Sequence, residues 1–156
     1  LPDVVGLRGP LSCLNEARFG IVFGTLGAGR DCLETAISYS IDREQFDKPL
    51  GAFQALAHNM ADARTVADGS KLLAYEAAWA HSTGGPLARL APMAKLTACN
   101  SFRDTTAMAQ QIFGGVGFTL EYEIQLYFRR AKQLQLSFND TRRCEDLIAA
   151  AVLDAA

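Results

Sequence analysis

The chain has 156 residues, is 49% hydrophobic and 21% charged, and carries a net charge of −2, enough for one globular domain with a substantial core. That balance excludes a general nucleic-acid or anionic-membrane surface, which needs clustered positive charge, and no apolar run approaches the roughly 20 residues that cross a bilayer. Cys13, Cys32, Cys99 and Cys144 are scattered without a CxxC pair and there are two histidines, so buried free thiols are expected rather than a disulfide scaffold or zinc site.

The first residue is Leu1 and no signal-type segment follows, so the chain reads as a piece of something longer. Residues Leu1 to Pro10, with two prolines and two glycines, read as an extended lead-in. From Leu11 an apolar stripe through Leu14, Ile21, Thr25, Ala28, Cys32, Ala36 and Tyr39, flanked by Arg18, follows the helical period. Gly20, Gly24, Gly27 and Gly29 lie inside this helix, each at a cost of about 1 kcal/mol relative to Ala; close packing of a neighbouring helix is the expected compensation. The polar stretch Asp42 to Gly51 separates it from a second helix over about Phe53 to His81, which Thr83-Gly84-Gly85-Pro86 ends. A third helix is expected over about Leu87 to Phe113, a fourth over Glu121 to Leu136 and a fifth over Thr141 to Leu153. Asp140 or Thr141 is placed to cap the last. No strand shows convincing alternation. Long helices joined by short polar loops predict an all-α, antiparallel bundle of about five helices.

Chemistry-bearing residues are few. His58 and His81 lack partners at metal spacing, and no metal site is expected. A Ser/His/Asp or Cys/His arrangement cannot be assembled from two histidines. Arg129-Arg130-Ala131-Lys132 and Arg142-Arg143 read as solvated helix faces, or as Arg forks meeting phosphates. The loop Asp42-Arg43-Glu44-Gln45-Phe46 sets an Arg, an amide and an aromatic at a helix end, a set that suits either a charged, ring-bearing cofactor or a capped surface loop. Gln111-Ile112-Phe113-Gly114-Gly115-Val116-Gly117-Phe118 breaks two helical patterns. Its glycines permit φ > 0 and close approach to the main chain; it serves as a helix C-cap and turn, or as a bare backbone surface for a large polar ligand.

These separated pieces, with Phe53-Gln54, Glu121-Tyr122 and Arg129-Arg130-Ala131-Lys132, together resemble the C-terminal helical domain of acyl-CoA dehydrogenases in order and spacing over essentially the whole chain. Leu14-Asn15-Glu16-Ala17-Arg18-Phe19-Gly20 looks most like the glutaryl-CoA dehydrogenase branch. The resemblance implies that an N-terminal helical domain and a middle β domain belong to the protein but not to this chain. It also implies a homo- or hetero-oligomer, usually a dimer of dimers, with FAD across a subunit boundary. Arg43, Gln45, Phe46 and Gln54 would touch the flavin nucleotide of a neighbouring subunit; Gln111, Gly114 and Gly115 would line the same cofactor, and Thr141 would meet it near the active centre. Arg18 stands where the family places an arginine beside the substrate pocket. An acyl-CoA substrate, an electron-transfer acceptor, no nucleic-acid or membrane partner, and a cytoplasmic or mitochondrial-matrix location follow from the same likeness.

In the family a carboxylate removes the α-proton of an acyl-CoA while a β-hydride passes to the flavin, and the base is the Glu of a Tyr-Glu-Gly-Thr motif before the last helix. The corresponding residues here are Phe138-Asn139-Asp140-Thr141, with one extra residue after Arg130; an ungapped register puts Phe138 at the base position. Neither an Asn amide nor a Phe ring is a base. The alternative base position, just before the arginine on the first helix, holds Ala17. Three readings stay open: Asp140 or Glu16 takes over the proton, a second kind of subunit supplies the base in a mixed assembly, or the chemistry needs no such base.

Overall fold

One helix sits among four others. In the computed structural model, which describes residues 6–153, α3 (Leu87–Phe113) packs against α1 (Arg8–Asp42), α2 (Gln54–Thr83), α4 (Ile124–Leu136) and α5 (Thr141–Leu153). Small side chains make this possible. Ala74, Ala77 and Ala80 of α2 and Ala94 and Ala98 of α3 are fully buried with Val22 and Leu90, so that helix axes approach closely at this end of the bundle. At the other end larger groups fill the space. Met60, Phe102, Ile112, Phe113 and Ile124 form a second core cluster with Cys32 and Ala36.

Each boundary has a local cause. Gly84 takes φ 74° and its N–H donates to the Ala80 carbonyl, ending α2. The Asp140 carboxylate accepts the Arg143 N–H at 2.8 Å and caps α5. Two expectations shift. Helix α1 already runs from Arg8, so Gly9 and Pro10 are helical; Pro10 lies among the first N–H groups, which have no helical partner to lose. Helix α4 starts at Ile124 rather than Glu121, because Gly114–Phe118 winds as a 3-10 turn that Thr119 closes onto the Val116 carbonyl. The polar stretch after α1 also holds a short hairpin. Strands β1 (Glu44–Gln45) and β2 (Lys48–Pro49) pair antiparallel, and Phe46 and Asp47 at its tip have φ 57° and 62°, as in a two-residue turn matched to strand twist.

The α1 glycines divide. A Cβ on Gly29 would meet the Phe102 ring at 3.4 Å, so close packing accounts for that residue. Gly20, Gly24 and Gly27 have nothing within 4 Å of such a Cβ and are exposed, which overturns the expectation that a neighbouring helix compensates all four. Helices α1 and α4 are joined by the Tyr127 hydroxyl donating to the Asp31 carboxylate, a hydrogen bond that, with burial, raises the tyrosine pKa.

Cys32, Cys99 and Cys144 are buried free thiols and Cys13 is exposed. Burial pushes the Cys32 thiol from 9.0 up to about 12. A raised folded-state pKa means that the neutral thiol contributes fully below pH 9 and loses its contribution as pH rises from 9 to 12. Urea midpoints should therefore fall across that window, and Cys32→Ala should flatten the fall. In this chain Gly24→Ala should raise stability by about 1 kcal/mol, the helix-propensity difference, read as a higher urea midpoint at constant slope.

Candidate functional site

The sequence-predicted residues gather into two groups along α3. The first lies at its C-terminal end. Tyr39 of α1 stacks on Phe113 with ring centroids 4.0 Å apart, and Tyr122 stands edge-on to both rings. This aromatic cluster brings the end of α1, and so the hairpin carrying Arg43, Gln45 and Phe46, to the same end as the glycine turn that follows Phe113. Arg43, Gln45, Phe46, Gln54, Gln111, Gly114 and Gly115 are all exposed; Phe46 retains 86% of its accessible surface. Gly114 has φ 62°, and neither it nor Gly115 would bring a Cβ within 4 Å of another atom. The two glycines thus present open main chain. Gly117 does the opposite work: it is buried, and a Cβ there would lie 2.6 Å from Gln110 Oε1 and 2.9 Å from Phe113 Cβ.

Two residues at this end escaped the sequence reading. Gln110 is buried and its amide donates to the Gly117 carbonyl at 3.1 Å, pinning the turn from beneath. Only the inward phase of α3 distinguishes it from the exposed Gln111. Lys48 places its ammonium 4.1 Å from the Phe53 ring centroid, and Phe46 meets the same ring edge-on. The hairpin therefore offers a second cation beside Arg43.

The second group surrounds the α4–α5 turn. Thr141 donates to Asn100 Oδ1 at 3.3 Å, and the Gln135 amide donates to both Asn100 and Thr141. Asn100 precedes Phe113 by 13 positions, about 20 Å along the helix, so Thr141 does not meet the glycine turn within one chain. Asn139 is half-buried and Asp140 exposed, and the Asp140 carboxylate is engaged as the α5 cap. Arg18 is half-buried and lines a cleft with Pro92 of α3 and Leu147 of α5. The side chain of Glu16 lies outside the described residues.

Beneath this turn lies an unanticipated group. Lys95 is 2% exposed, and its ammonium donates to the carbonyls of Leu134, Gln135 and Asn139 at 3.0, 3.0 and 2.9 Å. Buried lysines are rare unless paired; here two acceptors are among the last carbonyls of α4, where the helix dipole favours a cation, and the third is Asn139 in the turn beyond it. Phe138 and Asn139 have φ 54° and 90°, a conformation costing about 1–2 kcal/mol per non-glycine residue. A hydrogen bond to a charged group contributes about 1.5–3 kcal/mol, so the bond to Asn139 is of the same order as that strain. Nearby, burial raises the Cys144 thiol pKa, with Lys95 and Arg18 opposing; a neutral buried thiol is not a nucleophile. Among the described residues no group of His, Cys, Asp and Glu side chains could hold a metal ion, and no helix is long and apolar enough to cross a membrane.

The sequence model of the family described as acyl-CoA dehydrogenase, C-terminal domain, matches residues 5–138. The mitochondrial short/branched chain specific acyl-CoA dehydrogenase of Rattus norvegicus is 36% identical over 127 residues, covering 81% of this chain and 29% of the relative. The short-chain specific acyl-CoA dehydrogenase of Clostridium acetobutylicum is 33% identical over 138 residues, 88% of this chain and 36% of the relative. Glutaryl-CoA dehydrogenase from Mycobacterium smegmatis superposes with a TM-score of 0.93 at 34% identity, covering 99% of this chain and 40% of that one; a glutaryl-CoA dehydrogenase from that organism solved in complex with FADH2 gives 0.92 at 34% identity, over 98% of this chain and 40% of that one. A chain solved in work on the electron transferring flavoprotein of Acidaminococcus fermentans gives 0.90 at 34% identity, over 95% of this chain and 39% of that one. The chain belongs to the acyl-CoA dehydrogenase family and is its C-terminal helical domain. It spans about a third of the length of the curated relatives it matches, and the family match stops at Phe138, one residue before Asn139.

Gly117→Ala should destabilise the chain by about 1–3 kcal/mol, the usual cost of forcing atoms into filled space, whereas Gly115→Ala should leave the urea midpoint nearly unchanged. Comparable losses at both positions would mean that Gly115 is not open.

Proposed function

We propose that this chain is the C-terminal domain of a flavin-dependent acyl-CoA dehydrogenase-type protein, acting in α,β-dehydrogenation of an acyl-CoA thioester, with the usual catalytic Glu replaced. The observation that carries the reading is the open main chain of Gly114 and Gly115 beside an exposed hairpin with Arg43, Gln45, Phe46 and Lys48. A dinucleotide needs these features. Its pyrophosphate calls for cations and N–H donors without intervening side chains, and its rings call for an aromatic surface.

The residues present fit FAD on that count. Arg43 and Lys48 would meet its phosphates, Phe46 a ring, Gln45, Gln54 and Gln111 its polar edges, and Gly114 and Gly115 would let the main chain approach. Bound FAD would supply the hydride acceptor for dehydrogenation. Thr141 and the glycine turn are about 20 Å apart along one bundle. That span favours a cofactor shared between subunits, the hairpin end serving one site and the α4–α5 end another. At the second end Arg18 would orient the substrate.

What neither of the family's base positions brings here is a proton acceptor, which leaves Glu16 as the displaced base still open. Asn139 and Phe138 carry no titratable group, and Asp140 is committed to its helix cap. This favours a second reading, a FAD-enclosing subunit without turnover of its own, partnered by a chain that carries the base. The backbone also bears on which position is the vacant one. A glycine follows the base in the family motif, and φ is positive at Asn139 but not at Asp140. We read this as favouring the ungapped register, with the glycine at 139 and the base at 138, over Asn139 as the base position.

The full-length protein, expressed alone with its natural upstream sequence, tests these readings. A flavin spectrum that bleaches with an acyl-CoA supports an active enzyme; a stable, unbleached flavin spectrum supports the structural subunit; a colourless protein rejects both. In flavin-loaded protein, Phe138→Glu should introduce or raise dehydrogenation more than Asn139→Glu, since a positioned general base contributes about 10²–10⁴-fold. The reverse order would restore Asn139 as the base position, and no gain from either would reject this assignment of the turn.

A further inference from the structure

The three hydrogen bonds of Lys95 have a directional effect. Two go to the closing turn of α4 and the third reaches across to Asn139. The carbonyl drawn inward belongs to the second of the two consecutive residues with φ > 0, Phe138 and Asn139, where the chain turns back. Neither is glycine; Asn tolerates φ > 0 better than most residues, but at Phe138 local preference opposes the shape. Something in the tertiary structure has to impose it. Among the described residues, Lys95 donates to the Asn139 carbonyl from α3 at 2.9 Å, while the thiols of Cys144 and Cys99 make only long contacts, of 4.0 Å to the Asn139 carbonyl and 3.7 Å to that of Leu134, and no ion pair of the described residues engages the ammonium.

We infer that Lys95 is the positioning residue of the α4–α5 turn: its ammonium holds the Asn139 carbonyl inward and thereby sets the direction in which the side chains of residues 138 and 139 leave the backbone. Gln135, Asn100 and Thr141 tie the flanks of the turn, but their bonds are between side chains and leave its peptide orientation free. Phe138, 40% exposed, is the side chain turned outward. Should the position that faces substrate carry a base in an engineered or natural relative, its aim would depend on this buried lysine. The catalytic consequence rests on the function proposed above; the conformational claim does not.

The test uses the full-length protein and hydrogen exchange followed by mass spectrometry. Lys95→Met, of similar length and without charge, should speed exchange in peptides covering residues 134–144 by about tenfold or more, while peptides covering the hairpin and the glycine turn stay within about twofold. A second substitution separates positioning from simple space filling. Asn139→Gly makes φ 90° free of steric cost, so in the Lys95→Met background it should recover about threefold or more of the lost protection. Unchanged exchange at 134–144, loosening spread evenly over all helices, or unfolding that Asn139→Gly does not reverse would overturn the inference. The two claims fail separately: a colourless protein with the expected exchange pattern sinks the flavin reading and keeps the lysine's role, whereas a flavin-loaded protein with unchanged exchange does the opposite.

Discussion

The packing of α3 against four other helices constrains everything else in this domain. A helix so enclosed must carry small residues where others cross it and large ones where they diverge, and its sequence does both, from Ala94 and Ala98 to Phe102 and Phe113. Phe102 occupies the space a Cβ on Gly29 would enter and meets the Tyr127 ring edge-on, so α1, α3 and α4 converge on it. A rigid central rod then fixes where its surroundings emerge. Its C-terminus delivers the glycine turn, and its first half supplies Lys95 and Asn100 to the turn between α4 and α5.

Much of this was legible in the residues. The helical period, the Thr83-Gly84-Gly85-Pro86 stop and the Asp140 cap gave five helices within a few residues of their true ends, because each signal is local and acts through the backbone. The family likeness rested on motifs that are also local. What could not be read was long-range. Lys95 looks like any lysine on an amphipathic helix until α4 is folded over it, and three buried carbonyls are invisible in a sequence. The hairpin escaped because two-residue strands have no alternation, and Phe46-Asp47 is not a pair whose chemistry announces φ > 0. The α1 glycines misled for a related reason. Close packing explains Gly29, but Gly24 and Gly27 face open space, and local composition cannot tell a crossing point from a bare surface.

The proposed flavin site divides labour between main chain and side chain. At the glycine end recognition depends on side chains being absent, so its requirements are negative and a single methyl can violate them. At the α4–α5 end the requirement is positive: a particular peptide must point a particular way, against local preference. The first is secured by glycine and by Gln110 beneath it, the second by a buried charge. In this chain the second device is intact although the residues it presents, Phe138 and Asn139, have no proton chemistry.

One dimension of α1 ties the two ends together. Arg18 and Asp42 lie on a single unbroken helix, roughly 36 Å apart at 1.5 Å per residue. Adding or removing one residue between them would swing the hairpin through about 100° around the helix axis as well as shifting it lengthwise. Substitutions can accumulate along that interval, but its residue count can change only by abandoning the relative aim of Arg18 and Arg43, so the helix acts as a ruler whose divisions are as fixed as its length.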